Sequence, residues 1–244
     1  MNFPAILNIL GHVIKYELLL LLIPFAVALF YGQGDASAFL YTILIMLPIS
    51  IILTRVKGKK KEIYAKEGFL TVGLAWIVIS FFGALPFVFN GAIPSFIDAF
   101  FETSSGFTTT GASILTEIQS LPKGILFWRS FTHWVGGMGF LIFILALMPS
   151  FGGNTIHLLK AESPGPTPGK IVPKIKQTAK ILYAIYFVLT VIETIFLKFA
   201  GMSWYDAIIH ALGTAGTGGF SNMNASVAAF NNPTVDWIIT IFML

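Results

Sequence analysis

Two short segments carry the residues with the clearest chemical potential: Thr108-Thr109-Thr110-Gly111 and Gly216-Thr217-Gly218-Gly219. Neither offers a nucleophile beside a base. What they offer is oxygen. Dehydrating a monovalent cation requires a ring of oxygens in place of its water, and extended backbone with its carbonyls turned to one side supplies one. Glycine admits positive φ, so successive carbonyls can align, and threonine adds a hydroxyl at one end. The two segments sit in longer strings 108 residues apart, SFIDAFFETSSGFTTTGAS (95–113) and SWYDAIIHALGTAGTGGFS (203–221). Six of the nineteen aligned positions are identical, where chance would give about one or two.

Each string begins with a stretch too short to cross a bilayer but long enough for a helix of about ten residues. Each opens on a capping-box pattern, Ser95-x-x-Asp98 and Ser203-x-x-Asp206. The serine accepts from the third helical N–H and the carboxylate suits the positive helix end. Capping, rather than catalysis, is therefore the expected role of the two aspartates. The C-terminal ends of these short helices would lie near mid-membrane, where their partial negative charge favours a dehydrated cation.

The elements that must position these segments are membrane helices. The 244-residue chain is 56% hydrophobic and 11% charged, with mean hydropathy +0.82, against about 25% charged in a soluble domain. Apolar runs at 13–31, 36–54, 68–90, 124–149 and 179–200 approach the roughly 20 residues a span needs. A sixth run starts near Val235 and reaches Leu244, so the chain reads as a fragment. The N-terminus lacks the basic leader of a signal peptide and reads as a retained helix. The loop 55–67 holds six basic residues, and 150–178 holds Lys160, Lys170, Lys174 and Lys176. Both are expected in the cytoplasm, with the N-terminus. Both strings then enter from the outer face, making the repeat parallel.

The expected fold is an all-α integral membrane protein of repeated outer helix, pore loop and inner helix, as in potassium channels. Residues 1–67 form a hairpin with its basic loop, 68–149 repeat 1, 150–178 a cytoplasmic linker and 179–244 repeat 2. The connection 32–35 (GQGD) is too short to be a pore loop, so helices 1–2 are accessory. Gly136-Gly137-Met138-Gly139 is expected within the fourth helix, as close packing or as a flexible inner helix. Arg129 and His133 are expected to bridge protein partners, and Glu193 to pair with Lys198. Glu102 and His210 occupy equivalent positions and anchor the short helices. Glu117 is either a vestibule charge or a solvated one.

Other chemistries find little support. The chain has no cysteine, and its four histidines lack metal-ligand spacing. Gly165 to Lys170 is one residue short of a P-loop and lacks its Ser/Thr. Gly213-x-x-Gly216-x-Gly218 has no preceding strand for a dinucleotide site. The net charge of +4 is partitioned by loop and does not suggest nucleic acid.

The segments FFETSSGFTTTGAS, HWVGGMGF and GTAGTGGFS resemble the membrane subunit of bacterial Trk-type potassium uptake systems, in the TrkH/Trk–Ktr–HKT superfamily. The resemblance runs from Met1 to Leu244. It implies four joined repeats around one pore, preceded in some members by a two-helix hairpin. It implies that Gly111 and Gly219 are filter glycines and that carbonyls of Thr109, Thr110, Thr217 and Gly218 bind potassium. Gly218 departs from the Thr-Thr-Gly pattern, losing one hydroxyl. It further implies potassium (with rubidium as analogue) as the transported ion, no covalent cofactor, a bacterial inner-membrane location, a homodimer of full-length subunits and a cytoplasmic nucleotide-binding regulatory subunit. Transport would run down the gradient or as symport with H+ or Na+. Four repeats with the N-terminal part amount to about 500 residues, so this chain would supply two filter repeats of four. A two-repeat subunit that dimerises into a complete channel is the alternative, and an intramembrane enzyme a more distant one.

Overall fold

A stripe of apolar residues at helical spacing, Ile6, Ile9, Leu10, Val13, Leu21 and Ala28, is buried along the first helix and sets the frame of the bundle. The structure is a computed structural model that describes residues 1–56, 65–139 and 172–244. Every element among the described residues is helical: α1 (Phe3–Tyr31), α2 (Ala36–Thr54), α3 (Ala65–Asn90), α4 (Phe96–Phe107), α5 (Lys123–Gly137), α6 (Val172–Phe199), α7 (Trp204–Ala215), a 3-10 turn (Ser226–Phe230) and α8 (Pro233–Phe242).

Helix α1 starts ten residues earlier than its most apolar run suggests. Asn2 caps it, accepting from Ala5 N, with a proline in the first turn. At the other end Gly32 closes it in the left-handed region at φ 62°. Helices α1, α2, α3 and residues 179–199 of α6 are long and apolar enough to cross a membrane. Their outward faces expose Leu22, Leu44, Ile77 and Leu182, as a lipid-facing surface requires.

Three further boundaries differ from the sequence expectation. Residues 65–67 belong to α3 rather than to the basic loop, and residues 172–178 belong to α6 rather than to the linker. The helix expected over 124–149 ends at Gly137, with Met138 as its cap and Gly139 left-handed at φ 62°. The GGMG segment is therefore a helix terminus, because a left-handed residue cannot continue the hydrogen-bond ladder. Residues 140–149 and most of the linker lie outside the described residues.

Helices α3–α5 and α6–α8 repeat one arrangement, a long helix packed on a short one followed by a further helix. The hairpin α1–α2 packs behind the first unit, with α1 against α2, α3 and α5. Helix α5 also packs on α7, which joins the units.

The connection 32–35 does more than turn the chain. Gln33 Oε1 accepts from Lys123 N at 2.7 Å and Asp35 Oδ2 from Ile125 N at 3.2 Å. These are orphan N–H groups in the first turn of α5, and α5's own cap position, Pro122, makes no side-chain cap bond. The hairpin thus caps α5 in trans, and Gly124 is glycine because a methyl there would strike the Asp35 carboxylate and Ala28. Replacing Asp35 with Ala should lower the unfolding midpoint of detergent-purified protein, through a loss of about 1 kcal/mol. Asp35→Asn, which keeps an acceptor oxygen, should lose less. Equal losses for the two would remove the capping role.

Candidate functional site

Both short helices are built alike from their first residue. Ser95 Oγ accepts from Asp98 N at 3.4 Å and Ser203 Oγ from Asp206 N at 3.1 Å. Asp98 and Asp206 sit in the first turns, near the positive helix ends.

Their C-terminal ends also match. In α4, Thr109 N donates to Gly106 O (3.1 Å) and Thr110 N to Ser105 O (2.9 Å). In α7, Thr217 N donates to Thr214 O (2.9 Å) and Gly218 N to Gly213 O (3.0 Å). This is the Schellman pairing, whose left-handed residue is usually glycine. Here it is threonine, at φ 54° for Thr109 and 53° for Thr217. A β-branched residue there is an outlier and costs about 1–3 kcal/mol. Two residues on, Gly111 and Gly219 are left-handed again, at φ 75° and 84°. The two segments therefore alternate handedness in register.

The segments also approach each other. A methyl group on Gly111 would run into the carbonyl oxygen of Gly218. Thr108, Thr109, Gly137, Gly139, Gly216 and Thr217 are among the residues lining a cavity of ≈ 540 Å³ at the C-terminal ends of α4 and α7.

Behind the segments stands a buried polar network. Arg129 Nε donates to Glu102 Oε1 at 2.6 Å and its Nη1 to Ser221 O at 2.9 Å, with the guanidinium 3.7 Å from the Phe220 ring centroid. Arg129 and Glu102 are 2% and 1% exposed, so this pair is dry. Glu102 also accepts from Ser113 Oγ (2.9 Å) and Ile114 N (3.0 Å). At the equivalent positions His210 Nε2 pairs with Ser221 Oγ at 3.0 Å, and His210 Nδ1 with Asp206 O at 2.8 Å. Each short helix thus holds the serine two residues beyond its Gly111 or Gly219. Both serines are identical positions of the repeat and Glu102 and His210 equivalent ones, and these correspondences were the sequence signal for this tie.

Helix α5 carries the network and is clamped between the repeats. His133 Nδ1 lies 2.7 Å from Gly106 O. Gly136 abuts the Phe107 backbone, and Gly137 abuts Gly216 and the Tyr186 hydroxyl. Close packing thus accounts for the glycine pair. Hydroxyls of α6 satisfy the carbonyls at the end of α5: Tyr186 donates to Trp134 O and Tyr183 to Met138 O, both at 3.1 Å. These aromatic partners had no signature in the sequence.

Two peripheral expectations resolve differently. Glu193 is buried, but it does not pair with Lys198, whose ammonium donates to Met202 O at 3.2 Å. Residues five apart project from different faces of a helix, whereas three or four apart share one. Glu117 accepts from Asn224 Nδ2 at 3.1 Å, and Asn224 Oδ1 accepts from Ile118 N at 2.7 Å. That pairing joins the loops beyond the two segments.

The TrkH family model, described as a cation transport protein, matches residues 37–244. The chain belongs to this family. It is 43% identical to the Trk system potassium uptake protein TrkH of Escherichia coli K12, over all of this chain and 51% of that protein. It is 36% identical to the TrkH of Halomonas elongata over the same shares. The crystal structure of the potassium transporter TrkH from Vibrio parahaemolyticus superposes with a TM-score of 0.84 at 35% identity, covering 99% of this chain and 49% of that one. The chain thus spans about half the length of the curated relatives it matches. Family membership, with four membrane-length helices among the described residues, makes it a multi-pass membrane protein.

Breaking the Arg129–Glu102 pair from one side strands a buried charge. Arg129→Met should cost about 3–5 kcal/mol, read as thermal unfolding in detergent. The double variant Arg129→Met, Glu102→Gln removes both charges and should recover part of that loss. A double variant no more stable than Arg129→Met would show that the two side chains are not coupled.

Proposed function

We propose that this chain contributes two filter segments to a potassium uptake protein. The observation that carries the reading is the matched handedness of Thr109/Gly111 and Thr217/Gly219. Alternating left-handed residues are the backbone condition for successive carbonyls to face one side, and carbonyl rings are how protein backbone replaces a potassium ion's water. The Schellman ends place residues 109 and 217 directly after the helices, so the negative helix ends lie at the same cavity.

In this reading the carbonyls of Thr109, Thr110, Thr217 and Gly218 bind the ion, and Gly111 and Gly219 give the strands their shape. Ser95, Asp98, Ser203 and Asp206 cap the two pore helices. Residues 68–149 and 179–244 are the two repeats, α1–α2 the accessory hairpin, and 150–178 the connection between repeats. The basic loops lie in the cytoplasm of a bacterial cell with the N-terminus, by the excess of lysine and arginine there. Potassium enters from the opposite face of the inner membrane, alone or with a coupling ion. The remaining filter segments come from further repeats, since relatives named for potassium uptake are about twice this length. A dimer of full-length subunits and a nucleotide-binding regulatory partner on the cytoplasmic face complete the assembly.

The test is ion flux in a bacterium lacking its own potassium uptake, using the complete coding sequence. Gly111→Ser and Gly219→Ser should each reduce potassium over sodium selectivity. Gly111→Ser should be the more severe, because its side chain meets the Gly218 carbonyl while position 219 has open space among the described residues. Unchanged selectivity in both variants would sink the assignment.

A further inference from the structure

Repeat 2 departs from repeat 1 at two positions of its filter segment, and both departures meet the same residue. Thr108 and Thr110 of repeat 1 correspond to Gly216 and Gly218. In repeat 1 the two hydroxyls lie 2.8 Å apart, and Thr108 Oγ1 also donates to Ser104 O at 2.7 Å. This side-chain brace stiffens the segment just beyond its helix. Repeat 2 has no hydroxyl at either position.

His133 fills the space instead. A methyl at Gly218 would collide with the imidazole ring, and one at Gly216 with the His133 carbonyl. The ring is fully buried and held on two sides. Nδ1 lies 2.7 Å from Gly106 O, so Nδ1 carries the hydrogen. The ring also stacks on Phe220 at 3.9 Å between centroids, and Phe220 directly follows Gly219. One residue of α5 therefore touches the end of pore helix 1, the second filter segment and the residue that follows it.

We infer that His133 is the positioning residue of the second filter segment, a rigid wedge whose ring replaces the Thr108–Thr110 brace and requires glycine at 218, while its backbone carbonyl requires glycine at 216. The inference rests on the filter reading above. It explains why a segment with three glycines in four residues, Gly216-Thr217-Gly218-Gly219, holds one shape. Glycine backbone is the most costly to order, and a flat ring fixed at two points supplies the missing restraint.

The test uses the complete protein in potassium-uptake-deficient cells, with membrane levels matched. Gly218→Thr alone should abolish uptake. His133→Ala should keep uptake but lower the potassium-to-sodium ratio about tenfold or more, as expected when coordinating groups shift by a fraction of an ångström. His133→Asn retains a donor toward Gly106 but not the ring, and should lose selectivity nearly as far. The double variant His133→Ala, Gly218→Thr should restore uptake that Gly218→Thr alone lacks. Gly218→Thr tolerated beside His133, or His133→Ala with unchanged selectivity, would overturn the inference. If the unmodified protein carries no potassium, the filter reading fails instead. The wedge is then judged on purified protein, where thermal unfolding must show Gly218→Thr less damaging in the His133→Ala background than in the native one, and equal damage overturns it.

Discussion

Arg129 reaches from one helix to both repeats, and the arrangement around the two Thr/Gly segments depends on that reach. Its guanidinium pairs with Glu102 on α4 and donates to the Ser221 carbonyl beyond the second segment. Irregular backbone survives at membrane depth only where protein or an aqueous cavity satisfies it. Here the covering element is α5, which presents Arg129, His133 and the Gly136–Gly137 pair to both segments. The desolvation of Arg129 and Glu102 is offset by further hydrogen bonds: Glu102 takes a hydroxyl and a backbone N–H, and Arg129 a backbone carbonyl. A pair satisfied this fully is tolerable in a dry interior, and it fixes geometry more than it adds stability.

Because α5 bears this weight, its ends are held by other elements. Gln33 and Asp35 of the hairpin cap its N-terminus, and Tyr183 and Tyr186 of α6 take the carbonyls at its C-terminus. The hairpin, whose short connection looks inert in sequence, is thereby coupled to the two Thr/Gly segments through one helix. Lys123 adds to this joint: its ammonium lies 4.2 Å from the Tyr31 ring centroid, and its carbonyl accepts from the Tyr205 hydroxyl at 2.6 Å. The hairpin, α5 and α7 meet there.

The two repeats are similar in backbone and different in how they are braced. Both have serine caps, Schellman ends and left-handed residues at 109/111 and 217/219. Repeat 1 is braced by its own hydroxyls, while repeat 2 is packed against a neighbour's imidazole. Likewise Glu102 and His210 hold the equivalent serines with opposite chemistry. A parallel repeat on one chain permits this, since each copy meets different surroundings and needs only the same backbone path.

Much of this was legible in sequence because it is local. Serine three residues before aspartate caps a helix wherever it folds, apolar length marks a membrane span, and α2 has the boundaries its apolar run indicates. The repeat itself was visible as identical residues at one spacing. The boundaries that shifted lie where local signals compete: α5 ends at Gly137 because the backbone turns left-handed at Gly139, and Glu193 and Lys198 part because a separation of five residues puts them on different helix faces. The partners of Arg129, the trans caps of α5 and the contact of His133 with Gly218 link residues as far as 92 positions apart. Sequence alone thus determined which segments are helices, how the two short ones are capped at their start and which two are copies, since those follow from side-chain chemistry within a turn or two. Only the tertiary structure decided which polar groups meet in the dry interior, because a buried group takes whatever donor or acceptor packing brings within reach.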